Sequence, residues 1–481
     1  MLASLSQHTF ERDKMSSAPI RAGMVPLRCI GILVLVSLVL HGTPVAAQID
    51  EHARNWPQWR GPTGDGVAAH ANPPVKWSET ENVKWKVAIP GRASASPIVW
   101  GDRVFVLSAV RTDRKGEAKK VEAGSEPKEP DRPKRPGGGG GGKRGESPTE
   151  IYEFVLICLE RDSGKILWQK KAAEAVPHEG VHPTNTYASG SPITDGKHVY
   201  AWFGSFGIFC FDFEGNLKWQ RDLGDMRTRN AFGEGGSPAL SGDTLVVPFD
   251  HEGASFVAAL DAKTGEIRWK KERDEPTTWA TPLIVAHEGK SQVVMNGTRR
   301  VRSYDLATGE LIWSCGGQAT NPIATPVALD GVVYCMTGYQ GYAVFAIPLS
   351  ARGDITGSDK IIWSKTDAGP YIASPLLYKG LLYYTKSRDA VLLIADAKTG
   401  KPLIEPTRLE ALNVLYASPV GAADRVYYTS RDGTTLVLQH GSEVKILATN
   451  KLSEGIDASP ALVGKQLFLR TEGHLYCIEE R

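Results

Sequence analysis

The chain has 481 residues, 41% of them hydrophobic and 23% charged, with 56 Lys and Arg against 54 Asp and Glu. That balance is globular, and a formal net charge of +2 singles out no polyanionic partner, so nucleic-acid binding gains no support. Length alone allows two or three domains, but 50 glycines point to the many tight turns of one large all-β unit.

Arg21 and Arg28 precede an apolar run from Cys29 to Leu40, followed by the small residues Val45, Ala46 and Ala47. This predicts a secretory signal peptide over residues 1–47 and hence a periplasmic or secreted protein. The run is shorter than the ~20 residues of a spanning helix, so no transmembrane segment is expected after cleavage. Cys29 stands at the front of the apolar run, not behind it as a lipid-attachment cysteine would. Residues 48–75 read as a leader before a domain spanning 76–481.

A lone strand is expected at Asn82 to Val87, carrying Trp85. A repeat then begins, in which a small residue, Ser or Thr, and Pro open a short hydrophobic segment. It recurs at Ser96-Pro97, Ser191-Pro192, Ser237-Pro238, Thr281-Pro282, Thr325-Pro326, Ser374-Pro375, Ser418-Pro419 and Ser459-Pro460. These prolines stand 41 to 49 residues apart, except for a first step of 95, which fits one unit of four short strands.

The first step is long because of residues 111–150, rich in Lys, Glu, Pro and Gly and including the six glycines Gly137 to Gly142. Such a segment buries too little apolar surface to offset its ordering entropy, and disorder is expected, between the second and third strands of the first unit. The third unit shows the grammar best. Strand A is predicted at Ser237 to Leu240, B at Leu245 to Val247, C at Phe256 to Leu260 and D at Glu266 to Lys270, joined by Gly/Asp turns. The C–D turn, Asp261-Ala262-Lys263-Thr264-Gly265, suits Asp bonding its own backbone and Gly at positive φ.

Related turns recur at Asp305 to Gly309 and Asp396 to Gly400, and a Trp follows in strand D at Trp168, Trp219, Trp269, Trp313 and Trp363. With Trp85, these are expected as structural wedges between sheets. The last unit ends after strand C, at His474 to Ile478, while the lone Trp85 strand stands unpaired at the start. A ring that borrows its missing strand from the other end leaves no open edge. The fold class is therefore an all-β, eight-bladed β-propeller of four-stranded antiparallel blades, closed by an N-terminal strand. A monomer is expected. Five cysteines remain past the signal, without a Cys-x-x-Cys; Cys158, Cys210 and Cys477 are expected as buried free thiols, and Cys315 and Cys335 are left open.

In such a meander the D–A and B–C loops share one face. They bring His178, Arg227, Asn321, Asp457, His251, Arg300, Tyr339, Arg388 and Arg431 to it, together with eight candidate ligand-binding residues at the channel mouth: His182, Asn185, Tyr187, Arg229, Asn230, Trp279, Arg299 and Tyr371. Guanidinium groups either take a carboxylated or phosphorylated ligand or are neutralised by Asp225, Asp250, Glu252, Asp389 and Asp432 on the same loops. His178 and His182 stand four apart, but on a loop, so no metal site is expected. No Gly-x-Ser-x-Gly, His-Glu-x-x-His, haem-attachment or P-loop motif is present, so no catalytic residues are assigned.

The Asp-Ala-Lys-Thr-Gly-Glu-x-x-Trp pattern with its Ala-Ser-Pro anchors resembles the pyrroloquinoline-quinone (PQQ) type propeller repeat over about residues 75–481. The leader Asn55-Trp56-Pro57-Gln58-Trp59-Arg60-Gly61-Pro62 is similar to the opening of a group of exported bacterial propellers. The resemblance has two branches. One resembles the propeller subunit of the outer-membrane β-barrel assembly machine, implying a non-catalytic scaffold for other exported or envelope proteins and no cofactor. The alternative is a PQQ- and calcium-dependent quinoprotein dehydrogenase, which implies an adjacent-Cys disulfide and a calcium held by Glu, Asn and Asp. This chain has no adjacent cysteines, so that active site does not carry over residue by residue.

Overall fold

The computed structural model describes residues 51–119 and 147–480. The described residues all belong to one compact unit. The signal-peptide expectation for 1–47 falls outside the described residues, as do residues 120–146 of the insert.

Eight antiparallel sheets follow one another along the chain, each a meander in which strand A pairs B, B pairs C and C pairs D. Blade 3 shows the type: Ala239–Ser241, Thr244–Phe249, Phe256–Asp261 and Ile267–Glu272. Strands B and C are buried nearly throughout, as strands sandwiched between neighbouring sheets must be, while D alternates. Blade 8 is composite. Its A, B and C strands are Ala461–Val463, Gln466–Arg470 and His474–Glu479, and its D strand is Val83–Ala88, antiparallel to the last with Trp85 opposite Cys477. The ring is an eight-bladed propeller closed by both ends of the domain.

The anchors explain why the repeat keeps a hydroxyl. The backbone N–H of Ser96 donates to Ser191 Oγ, Ser191 to Ser237, Ser237 to Thr281, Thr281 to Thr325, Thr325 to Ser374, Ser374 to Ser418, Ser418 to Ser459, and Ser459 back to Ser96. All eight bonds are 2.9–3.1 Å long and buried, and each ties one innermost strand to the next. Proline is tolerated beside each anchor because the innermost strand is an edge whose N–H has no ladder partner to lose.

A second device works at the outer edge. Trp85, Trp168, Trp219, Trp269 and Trp363 each donate their indole N–H to a carbonyl of the next blade, respectively Arg161, Phe213, Ala262, Leu306 and Ala397. Each ring lies over the turn glycine beside that carbonyl. At Gly265, a Cβ would come within 2.5 Å of the Trp219 ring, and φ is +71°, so the glycine serves both the turn and the neighbouring blade. Trp313 differs: it is fully buried, and its indole N–H lacks a partner. Blade 5 has no such turn; instead Gly353–Asp354 adds a parallel strand beside Trp313.

Two sequence expectations need correction. The insert is not disordered over all of 111–150: Arg103–Lys115 and Glu150–Glu160 are long strands, with Arg111 opposite Tyr152. Cross-strand ion pairs, among them Arg114 with Glu153 at 3.2 Å and with Glu174 of the following strand at 2.8 Å, brace this charged hairpin. The leader, expected only to precede the domain, is part of it. Trp56 pairs with Val99 of blade 1, Pro57 accepts from Thr194 N of blade 2, and Val67 pairs with Gly421 of blade 7. All five described cysteines are buried and unpaired.

Candidate functional site

The leader crosses the channel at the end away from the D–A loops. Arg60 is 1% exposed and donates to the carbonyls of Pro375 and Pro419, on blades 6 and 7, at 2.6 and 2.5 Å. Burial lowers its pKa to about 10, with Asp65 opposing, so it stays charged at neutral pH. Gly66 is required beside it, since φ is +90° and a Cβ would fall 2.5 Å from the guanidinium. Trp59 donates from its indole to Ser459 Oγ at 3.2 Å, placing the ring against the hydroxyl circle. The channel is thus a blind cup.

Above this floor lies a cavity of about 230 Å³. Its wall follows the repeat. Every residue two positions before an anchor hydroxyl lines it: Ser94, Ser189, Gly235, Trp279, Ile323, Ile372, Tyr416 and Asp457. Blades 4 to 7 therefore contribute Trp, Ile, Ile and Tyr, and blades 8, 1, 2 and 3 contribute Asp, Ser, Ser and Gly. One side is a large apolar wall and the other is small and polar.

Of the eight candidates from sequence, His182, Asn185, Trp279 and Tyr371 line this cavity. Asn185 Nδ2 donates to the Phe232 carbonyl at 2.8 Å, and Trp279 Nε1 to the Gly233 carbonyl at 2.7 Å. The Tyr371 ring stacks on Tyr339 at 4.6 Å. His182 Nδ1 lies 2.8 Å from Thr184 Oγ1, which lies 3.1 Å from the Tyr416 hydroxyl, so a polar chain spans the mouth from the loop before blade 2 to that before blade 7. Burial, then the charges of Arg388 and Arg431, hold the His182 pKa below its ordinary value, which keeps the ring neutral.

The other four candidates lie outside the cavity. Tyr187 turns away, donating to the Glu179 carbonyl at 3.0 Å with its ring against Tyr152. Arg229 reaches Asn321 at 3.4 Å, Asn230 is exposed at a left-handed turn with φ 52°, and Arg299 extends toward Asp274 at 3.8 Å. Trp59 and Tyr416 were not anticipated as lining residues. Tyr416 was within reach, because the anchor register alone marks its position; Trp59 sits in a leader with no repeat to locate it.

Three of the six mouth arginines are ion-paired among the described residues, but not by the loop carboxylates expected: Asp225, Asp250 and Asp432 pair instead with Lys119, Arg273 and Lys451, and Arg299 meets Asp274. Arg431 pairs with Asp457 at 2.5 Å and lies 4.3 Å over the Tyr416 ring; Arg300 pairs with Asp354 at 2.7 Å. Arg388 lines the cavity with an exposed side chain and has no carboxylate partner among the described residues.

Glu234 faces the cavity, while its carboxyl sits deep and accepts from Ser205 N at 2.9 Å and Ser205 Oγ at 2.5 Å. Burial pushes its pKa from 4.5 up to about 8, with the charges of Glu179 and Asp225 adding to the rise. Between those values the folded chain keeps a proton that the unfolded chain releases, so stability falls as pH rises from about 4.5 to about 8. We expect roughly 2 kcal/mol between pH 5 and pH 9 to be traceable to this group, less than the full shift because the residue borders cavity water. Urea unfolding of Glu234→Gln and the parent checks this: the variant should lack that part of the pH dependence, and parallel curves refute the assignment.

The carboxylates of this cup are not arranged to hold a calcium ion of the dehydrogenase kind. Calcium takes six to eight oxygens, usually with several carboxylates. Asp457 is committed to Arg431, Glu234 is held by Ser205, and no group of three metal-ligating side chains assembles among the described residues.

The fold and cup define a closed, channel-plugged propeller of the PQQ-repeat type. The family profile described as PQQ_2, outer membrane protein assembly factor BamB, matches residues 153–403, and the chain belongs to that family. It is 29% identical over 186 residues to outer membrane protein assembly factor BamB of Legionella pneumophila (strain Paris), a match covering 36% of this chain and 44% of that protein. The match thus spans less than half of that relative's length. Among solved structures, the quinohemoprotein alcohol dehydrogenase of Comamonas testosteroni is similar with a TM-score of 0.56 and 11% identity, covering 89% of this chain and 81% of that one. BamB of Moraxella catarrhalis is similar with a TM-score of 0.48 and 16% identity, over 70% and 94% of the two chains. The dehydrogenase likeness shows the fold alone.

Proposed function

We propose that this chain is an exported, non-catalytic scaffold serving the assembly of outer-membrane proteins, bound to other envelope proteins and working without metal or quinone. Family membership carries the reading. The rigid ring supports it, because two sets of cross-blade bonds and a plugged channel leave a stable frame with loops on both faces. No helix among the described residues is long and apolar enough to cross a membrane. Residues at the mouth, His182, Asn185, Trp279 and Tyr371 among them, are proposed to bind a ligand.

The test is genetic and biochemical. A host strain lacking the gene should contain less folded outer-membrane β-barrel protein, seen by heat-modifiable gel mobility, and plasmid-borne wild-type chain should restore it. Unchanged levels would sink the scaffold reading. Calorimetric titration with PQQ and calcium, followed by a dye-linked alcohol oxidation assay, addresses the dehydrogenase alternative; silence is expected in both.

A further inference from the structure

The anchor circle has a chemical polarity. Each hydroxyl oxygen accepts a backbone N–H from the preceding blade, and Ser459 Oγ accepts a second hydrogen from Trp59. The hydroxyl hydrogens of these residues find no protein acceptor among the described residues. Ser96, Ser191, Ser237, Ser418 and Ser459 are at most 5% exposed, and all five line the cup. Buried O–H donors of this kind require an acceptor, which a ligand or ordered water must supply.

Three features meet in this one space. A large apolar wall on blades 4 to 7 includes Trp279 and Tyr416. Donor hydroxyls ring the base above Trp59. The guanidinium of Arg388, which has no carboxylate partner among the described residues, stands at the rim. Glu234 and Asp457, the carboxyls of the lining, are held by Ser205 and Arg431 and do not compete for it.

We propose that the cup binds a small amphipathic carboxylate without a metal ion. The apolar body enters first and lies on the Trp279 and Tyr416 wall above Trp59. Acceptor oxygens along its other edge meet the anchor hydroxyls, and the acid group stays at the mouth on Arg388. The volume of about 230 Å³ is below the ~300–1,000 Å³ of pockets for drug-sized ligands, so the ligand is of the size of one or two fused rings. The inference goes beyond the scaffold reading and does not depend on it.

Tryptophan fluorescence of the full domain tests it, with 2-naphthoate and its neutral analogue 2-naphthylmethanol as probes. Saturable quenching is expected for both, with the acid bound about tenfold tighter through one charge-assisted contact, equally in calcium and in EDTA. Arg388→Gln, an exposed position whose melting curve should match the parent, is expected to abolish the preference for the acid while leaving binding of the alcohol intact. Ser189→Phe, which fills the cup from its polar side, should weaken both probes. The proposal is overturned by equal affinity for acid and alcohol, by a preference that survives Arg388→Gln, by acid binding that requires calcium, or by the absence of saturable binding. None of these results bears on outer-membrane protein levels, so the two readings fail separately.

Discussion

Deleting residues 51–67 is expected to remove most of the domain's net stability, and extending the deletion through residue 88 should abolish cooperative unfolding. The shorter deletion takes away Trp56, 1% exposed against blade 1, and the Arg60 bonds to blades 6 and 7. Truncating a fully buried aromatic alone costs about 3–5 kcal/mol. Net stability of ordinary domains is only about 5–15 kcal/mol, so the segment is not an accessory. The longer deletion also strips the D strand of blade 8, exposing the edge of His474–Glu479 and opening the ring. Calorimetry or urea unfolding of both truncations reads the result, with Trp56→Ala as the finer probe. A short truncation that melts with the parent would show that the channel plug contributes nothing to the frame.

The second large effect is expected at the junction of blades 3 and 4. Arg273 and Asp250 are both fully buried, joined through Arg273 Nε to Oδ1 at 2.7 Å and Nη2 to Oδ2 at 3.0 Å. Thr278 donates to the same carboxylate at 2.8 Å, and Arg273 Nη1 donates to the Tyr304 hydroxyl on blade 4, also at 2.8 Å. The desolvation cost of the two charges is offset only while every member has its partner. Asp250→Ala leaves a buried guanidinium without its counter-charge and should cost about 3–5 kcal/mol. Replacing both, as Arg273→Met with Asp250→Ala, should cost much less than Asp250→Ala alone. Denaturant midpoints for the two variants decide it. Equal losses in both would mean that packing, not the ion pair, dominates the site.

The blades were legible because periodic residues do periodic work. The Ser-Pro anchors recur since each hydroxyl closes one inter-blade bond, and the Asp-x-x-Thr-Gly turn recurs since its glycine receives the neighbouring Trp. Ring closure followed from counting strands. The leader was not legible as a plug, because its bonds run to blades far apart in sequence and no repeat marks Trp59 or Arg60. Half of the candidate site was misplaced for a related reason. Loop membership puts Tyr187, Arg229, Asn230 and Arg299 on the right face, whereas register to the anchor, two residues ahead of it, marks one lining residue in every blade. Blade 5 departs where its chain detours through Gly353–Asp354, leaving Trp313 without the turn it would otherwise cap.

The composite eighth blade also sets the order of events in folding. Val83 finds its partner only when Ile478 has been made, so the earliest strand of the domain must stay unpaired while seven intervening blades form. Contacts so distant in sequence are slow to close, and an unsatisfied strand edge is open to other chains throughout that interval. The chain is therefore most vulnerable to misassembly late, when nearly all of it is folded and the ring is still one strand short.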